Sequence, residues 1–137
     1  MSYIAPALRQ LVTTRANHRC EYCGLSQVGQ EATFHVDHVM PVIAGGQTET
    51  DNLALACVSC SLRKAARQSA TDPETRQEVS LYNPRQNHWY EHFQWRSVLL
   101  EGLTPIGRAT VHALDMNRLL MLAIREEEVL LGRHRSP

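Results

Sequence analysis

Four cysteines are arranged in two pairs that have the spacing of metal ligands. A C-x-x-C turn brings two thiolates to one side of a tight loop, and four thiolates in a tetrahedron are a preferred ligand set of zinc. The 137-residue chain has four cysteines, and they are Cys20, Cys23, Cys57 and Cys60. The interval between the pairs exceeds the roughly 15–20 residues of a zinc ribbon, so it predicts a folded segment between them. We therefore predict one structural zinc ion held by all four cysteines.

The alternatives to zinc are two redox pairs or four buried thiols. Redox C-x-x-C pairs usually open a helix after a strand, in a thioredoxin-like unit, and two such pairs in so short a chain are unusual. A disulfide framework is disfavoured in an intracellular chain because the cytosol keeps thiols reduced. Four protein ligands leave no open position on the ion. We expect the zinc to be structural and its loss to unfold at least residues 18–65.

An acidic residue and a histidine stand side by side between the cysteine pairs. Asp37 and His38 lie in residues 32–39, which alternate and are rich in β-branched side chains, a pattern typical of a strand. Neighbouring side chains of a strand project to opposite faces. An imidazole titrates near neutral pH and can take a proton from water, while a carboxylate can hold a divalent cation. Together these two residue types are able to support metal-assisted hydrolysis, whereas a histidine alone is more often a hydrogen-bonded core residue.

The whole pattern resembles the HNH endonuclease family, whose ββα-metal core is often stabilised by a four-cysteine zinc. The resemblance covers about residues 18–67, and its matching elements are Cys20–Cys23, Asp37-His38, Pro41, Gly45-Gly46, Asp51-Asn52-Leu53, Cys57–Cys60 and Lys64. Three later stretches look like the tail of a bacterial subgroup of the family, and these are residues 81–85, 92–95 and 102–110. The resemblance implies hydrolysis of DNA phosphodiester bonds with Mg²⁺ or Mn²⁺ as cofactor.

The resemblance also implies individual roles. His38 is expected to be the general base, and Asp37 a ligand of the catalytic cation. Asn52 is expected to orient the catalytic loop and His38; capping of the second strand is its ordinary alternative. His35 lies two residues before Asp37 on the same strand face, so it is an additional candidate neighbour of the cation.

Position 61 departs from the family pattern. The family has His or Asn directly after the last cysteine, whereas this chain has Ser61, and Ala65 replaces the usual glycine. A serine hydroxyl is shorter and a weaker ligand, so it would reach the cation through water. The cation would then be held by Asp37, His35, water and DNA phosphate, with reduced activity. Alternatively, Ser61 inactivates the enzyme and leaves a module that binds nucleic acid, or a zinc scaffold for protein contacts.

Three basic residues follow the second cysteine pair. Arg63, Lys64 and Arg67 are predicted to be exposed along a helix that runs from Val58 to about Arg67, where they contact phosphates. A solvated helix face is the alternative interpretation. Fourteen Lys and Arg balance fourteen Asp and Glu, so any attraction to DNA is expected to be local.

The remaining chain predicts one α+β domain of residues 1–137. A small zinc-stabilised ββα-metal core over 18–67 would have flanking helices, and 68–137 would form a wrapping loop, a short strand and a helical C-terminal extension. The predicted elements outside the first strand are helices over 6–16, 105–115 and 117–131, strands over 52–57 and near 92–100, and a loop over 69–87. The apolar residues predicted to be core in the last helix are Leu119, Leu120, Leu122, Ala123, Ile124, Val129, Leu130 and Leu131.

Composition favours a soluble, cytoplasmic protein. Hydrophobic residues make up 43% of the chain and charged residues 20%, which is typical of a globular domain. No apolar run approaches the roughly 18–20 residues of a membrane span, and the N-terminus lacks a basic-then-apolar signal pattern. A membrane is therefore not an expected partner, whereas DNA is the partner that the family resemblance implies; the sequence carries no signal of oligomeric state.

Overall fold

The computed structural model describes residues 3–135 and residue 137. The helices in these ranges are α1 (Pro6–Arg15), α2 (Val58–Lys64), α3 (Trp89–His92), α4 (Pro105–Ala113) and α5 (Leu119–Leu130). The strands are β1 (His35–His38), β2 (Leu53–Ala56), β3 (Ser69–Thr71), β4 (Glu78–Ser80), β5 (Phe93–Arg96) and β6 (Leu99–Gly102). These strands form three two-stranded antiparallel sheets, which are β1–β2, β3–β4 and β5–β6. The predicted α+β class is confirmed.

The first hairpin and the helix after it form the predicted strand, loop, strand and helix unit. Its register pairs Asp37 with Ala54 and His38 with Leu53. All four residues of β2 are buried, because α1 and α2 both pack on this hairpin. The side chain of Arg15 in α1 donates to the Leu53 carbonyl at 2.7 Å, which ties α1 to the start of β2. The hairpin therefore presents β1 beside α2.

One cluster of buried apolar side chains runs through the described residues. Val12 of α1 and Leu55 of β2 belong to it, together with Phe93, Leu100 and Met121 from the later elements. The cluster thus includes side chains from both the cysteine-bearing half and the C-terminal half of the chain. Burial of such side chains is the main source of stability in a domain of this size.

The loop predicted over residues 69–87 is wrong for its first part, because β3 and β4 pair there. The side chain of Asp72 accepts hydrogen bonds from the backbone N–H groups of Glu74 (3.1 Å) and Thr75 (3.2 Å), which folds the turn. The strand predicted near residues 92–100 is likewise two strands, since Ser97 adopts a φ of 55° and reverses the chain between β5 and β6.

Asp72 also joins the second hairpin to α4. Its carboxylate is fully buried and accepts two hydrogen bonds from the Arg108 guanidinium, from Nε and Nη2, each at 3.0 Å. These bonds hold the pKa of Asp72 well below its usual range. Its contribution to stability is therefore present above about pH 4, the ordinary Asp pKa, and is lost as the pH falls below that value toward the lowered pKa.

We expect Arg108→Met to lower the melting temperature at pH 7, because it leaves the buried carboxylate of Asp72 without its cation. The difference from the wild type should shrink as the pH is lowered to about 3, where protonation removes that charge. Thermal unfolding followed by circular dichroism at both pH values measures this. Arg96→Met, which breaks the exposed Arg96–Glu101 pair (2.5 Å), is the matched control and should change little. A variant Arg108→Met that melts like the wild type at pH 7 would contradict the role of the pair.

The prediction that the leucines of the last helix form core is wrong for most of them. Of the eight apolar residues predicted to be core, five have large side chains that are exposed to solvent, namely Leu119, Leu120, Val129, Leu130 and Leu131. The side chains that α5 buries are Met121, Arg125 and Glu128, which share one face at i, i+4 and i+7. Arg125 donates to the carbonyls of Met116 (2.6 Å) and Val98 (3.0 Å). A charged residue thus lies on the buried face of α5, where the hydrophobic pattern predicts apolar side chains.

Length alone separates these helices from membrane spans. The longest, α5, has 12 residues, and a bilayer core requires about 20. No helix in residues 3–135 combines the length and hydrophobicity that crossing a membrane requires.

Candidate functional site

The four cysteines converge on one buried point. Their Sγ atoms all lie within 4.8 Å of one another. The two C-x-x-C turns have the same internal hydrogen bond, from Cys23 N–H to Cys20 Sγ and from Cys60 N–H to Cys57 Sγ, each at 3.4 Å. The predicted cluster is therefore confirmed, with one pair in the turn after α1 and the other at the start of α2.

The chemistry of this cluster suits a structural zinc ion. The neighbouring sulfurs raise the pKa of the Cys57 and Cys60 thiols, because negative charges so close together repel each other. All four cysteines can therefore be ionised only if a cation lies among them. Four sulfur ligands close a tetrahedron and leave no position for water or substrate. Within the described ranges this is the one group of three or more His, Cys, Asp or Glu side chains whose ligand atoms lie together.

The first cysteine pair also reaches the predicted site residues, through Tyr22. This tyrosine lies between Cys20 and Cys23, is buried, and donates its hydroxyl to Asp37 Oδ2 at 3.2 Å. Burial raises the pKa of Tyr22 well above its ordinary value, so the hydroxyl keeps its proton as a donor. We did not predict Tyr22 from the sequence, although its place inside a C-x-x-C turn is a local signal.

Lys64 is buried, which corrects the prediction that it is exposed for phosphate contact. Its side chain is 2% exposed, and Nζ lies 3.0 Å from Asp37 Oδ2 and 3.1 Å from the carbonyl oxygen of His38. Burial raises the pKa of Asp37, while the Lys64 cation favours its ionised form. No residue that the structure describes donates a hydrogen bond to the other oxygen, Oδ1. Lys64 therefore fixes Oδ2 of Asp37, and Oδ1 is left available to bind a cation.

Position 61 and His35 face each other. Ser61 Oγ lies 2.8 Å from His35 Nδ1. Ser61 and Lys64 are three residues apart and share one face of α2, while His35 and Asp37 share one face of β1. The packing of α2 on β1 thus brings together the predicted cation ligand Asp37, the weaker candidate His35 and the substituted position 61.

His38 and Thr48 make contact across the hairpin loop. The Nε2 atom of His38 lies 2.9 Å from Thr48 Oγ1. Because this contact fixes one ring nitrogen, it also sets the orientation of the imidazole and of Nδ1. Thr48 was not among the predicted site residues, and no spacing rule in the sequence identifies it.

Asn52 closes the loop that follows His38. Its Oδ1 accepts from Met40 N–H at 2.8 Å, and its Nδ2 donates to the carbonyls of Met40 (2.9 Å) and Gln47 (3.0 Å). The chain passes so close at Gly46 that a Cβ there would lie 1.8 Å from the Met40 carbonyl oxygen, so the loop requires glycine. Asn52 therefore orders the backbone on both sides of this loop, and its role in orienting His38 stays a prediction.

Four of the predicted site residues line one cleft of about 900 Å³. His35, Asp37, His38 and Ser61 all contribute to it, and α1 adds Arg9. Among the described residues that line the cleft, Arg9 is the only Lys or Arg. We did not predict Arg9, because nothing in the sequence of α1 indicates that this helix borders the loop.

The predicted basic run does not form one surface. Arg63 Nη1 lies 3.7 Å from Asp115 Oδ2, while Arg67 lines a separate pocket of about 340 Å³ beside Val39 and Met40. Neither arginine lines the 900 Å³ cleft. Phosphate contact by Arg67 stays a prediction at the neighbouring pocket.

Comparison with known families gives a match over the segment that contains the cleft residues of β1 and α2. A model of the family described as HNH endonuclease matches residues 20–67, a segment that contains both cysteine pairs and the Asp37, His38 and Asn52 positions. The resemblance described above is therefore confirmed over this segment. No curated protein and no solved structure matches the chain.

Proposed function

Because residues 20–67 match the HNH endonuclease family, we propose that this protein is a metal-dependent endonuclease that hydrolyses DNA phosphodiester bonds. The observation that carries the proposal is the convergence of His38, Asp37 and Ser61 in one cleft beside the four-cysteine cluster. The cysteine cluster stabilises the β1–β2 hairpin, since Tyr22, which lies between two of the cysteines, donates a hydrogen bond to Asp37 of β1.

In the proposed reaction His38 removes a proton from the attacking water. This role requires the tautomer in which Nε2–H donates to Thr48 Oγ1, 2.9 Å away, and Nδ1 is unprotonated and faces the water. Asn52 orders residues 40–47 through its three hydrogen bonds. It thereby keeps the loop that carries Thr48 close to the imidazole.

The residues around Asp37 provide a small set of cation ligands. Asp37 Oδ1 would bind Mg²⁺ or Mn²⁺, with His35 Nε2 and, through water, Ser61 Oγ as further donors. The bound cation would neutralise charge on the phosphate and stabilise the leaving oxygen. Lys64 and Tyr22 hold the other oxygen of Asp37 in place.

A nucleic-acid-binding module without cleavage is the second candidate function. The observation in its favour is Ser61, whose hydroxyl contacts His35, where the family pattern has a stronger ligand. Weak cation binding would preserve the fold and the cleft while lowering the rate. The two functions differ in one property, since only the endonuclease breaks the DNA backbone.

Cleavage of a supercoiled plasmid distinguishes them. Purified protein is incubated with plasmid in Mg²⁺, in Mn²⁺, or with EDTA, and the zinc content is measured after the EDTA treatment to verify that the cysteine cluster stays loaded. We expect nicked or linear product that requires the added cation. An intact plasmid in both cations, with binding retained, would favour the second candidate.

We expect Ser61→Asn to raise cleavage activity, because a side-chain amide oxygen reaches the cation directly. The Mn²⁺ concentration for half-maximal rate should fall about tenfold or more, in the range of effects seen when ligand shells are altered. Ser59→Asn, on the same helix but outside the cleft, is the control. An unchanged Mn²⁺ requirement in a robustly active enzyme would mean that position 61 is not a ligand position.

A further inference from the structure

Two apolar side chains are exposed at the rim of the cleft that holds His38. Ile43 is 89% exposed and Val42 49% exposed, and both line this cleft. Tyr3, which is 79% exposed, lines it as well. Single exposed apolar residues are normal on a protein surface, whereas three that border one catalytic cleft indicate a contact surface.

The turn that carries Val42 and Ile43 is held firmly. Both residues belong to the short 3₁₀ helix Val42–Ala44. The carbonyl of Pro41 accepts from Ala44 N–H at 2.9 Å and from Gly46 N–H at 3.0 Å, and Asn52 binds both backbone groups of Met40. Exposure of these side chains is therefore a feature of an ordered turn, which presents them at a defined place beside His38.

Charge in the cleft is too sparse to bind DNA through phosphates alone. Of the described residues that line it, only Arg9 is a Lys or Arg, and the nearby Lys64 is committed to Asp37 at 3.0 Å. Each phosphate neutralised by a cation adds to affinity in a salt-dependent way. Arg67 lies in the neighbouring pocket, so within the cleft itself the exposed apolar side chains are the main surface left for contact with nucleic acid.

The nucleic-acid group that offers apolar surface is the face of a base. In a paired duplex these faces are covered by stacking, whereas unpaired bases can lie against aromatic and aliphatic side chains. Apolar wedges such as isoleucine also occupy the gap between unstacked bases. An aliphatic pair with a tyrosine thus matches bases that are already unpaired.

We propose, building on the function proposed above, that the cleft selects DNA whose bases are unpaired next to the scissile phosphate. Ile43 and Val42 contact the faces of those bases, Tyr3 stacks on one of them, and Arg9 binds an adjacent phosphate. A fully paired duplex must first unstack at this point, so it binds less tightly.

Fluorescence anisotropy with labelled oligonucleotides tests this preference in buffer without added divalent cations, where binding is separated from cleavage. The probes are one strand alone, the same strand fully paired, and the same duplex with a central unpaired bubble. We expect the single strand and the bubble to bind about tenfold or more tightly than the paired duplex, as stacking of a base on a side chain provides. The salt dependence should correspond to about one or two phosphates.

Variants assign the preference to the turn. Ile43→Ser should remove most of the preference for unpaired bases, and because Ile43 is exposed the variant should keep its zinc and melting temperature. Leu130→Ser, an exposed leucine of α5 outside the cleft, should retain the full preference. Equal affinity for paired and unpaired probes, or an undiminished preference in Ile43→Ser, would overturn the substrate class and leave the endonuclease proposal standing. Failure to bind any probe would also overturn the substrate class, and plasmid cleavage in Mg²⁺ or Mn²⁺ would then decide separately on the endonuclease proposal.

Discussion

Replacement of His38 by alanine is expected to slow metal-dependent cleavage of DNA by about 10²–10⁴-fold, the usual contribution of a general base. The reason is local, since the variant removes the imidazole whose Nε2 contacts Thr48 Oγ1 at 2.9 Å and leaves Asp37 and its partners in place. Single-turnover nicking of plasmid in Mn²⁺ measures the loss. Zinc content and melting temperature should match those of the wild type, because His38 is only half-buried.

The matched control for this variant is His112→Ala. His112 is an exposed histidine of α4 that does not line the cleft, so its removal should leave the cleavage rate unchanged. Comparable losses in both variants would indicate a general effect on the preparation rather than a role for His38. Full activity in His38→Ala would exclude this residue as the general base.

Loss of one cysteine should have the largest effect on stability. Cys57→Ser removes one of four buried ligands, and structural zinc sites contribute on the order of 10–16 kcal/mol of apparent binding free energy in small modules. That range is comparable with the ~5–15 kcal/mol that keeps a typical domain folded. We therefore expect the variant to lose zinc and to unfold at least the segment from residue 18 to residue 65.

Zinc content and far-ultraviolet circular dichroism test this expectation. The wild type should contain one zinc ion per chain, and a strong chelator at elevated temperature should unfold it. Ser59→Ala, between the two cysteines of the second pair, is the control; it loses only a 3.0 Å hydrogen bond from Arg118 and should retain the ion. A Cys57→Ser protein that stays folded without zinc would show that the cysteines are not the structural brace.

The cysteine cluster and the hairpin beside it could be predicted because their signals are local. C-x-x-C spacing specifies a turn with two ligands, and the alternating residues 32–39 predict a strand, which the structure has as the shorter β1 within that range. Helix α2 follows directly from Cys57, its N-cap. Once these elements are in order, short connections leave few ways to arrange them. The placement of Asp37 close to the cysteine cluster follows from this limited choice of arrangements.

The burial of Lys64 could have been anticipated in part. Residues 61 and 64 share a helix face, so a helix that turns position 61 toward Asp37 turns Lys64 toward it as well. Arg63 then points elsewhere, and it lies near Asp115. Treating the basic residues as one run overlooked this periodicity. The hydrogen bond from Tyr22 to Asp37 has no such rule, because it depends on how two distant segments pack.

Long-range partners explain the other errors. The stripe that α5 buries contains Arg125, which is stabilised by carbonyls of Met116 and Val98, and hydrophobicity cannot identify a charged residue as core. The second hairpin depends on Asp72, whose partner Arg108 is distant in sequence. Where a helix or strand depends on such long-range pairs, its own residues are not enough to predict its position or its buried face.

Chemical rescue of His38→Ala tests the proposed catalysis most directly. Plasmid cleavage by the wild type and by His38→Ala is measured in Mg²⁺ at increasing concentrations of imidazole, which can occupy the space left by the side chain and accept the proton from water. The proposed mechanism predicts that the variant is nearly inactive alone and that its rate rises with imidazole, while the wild-type rate does not. A His38→Ala protein that cleaves at the wild-type rate without imidazole, or a folded, zinc-loaded wild type that never cleaves, would contradict it.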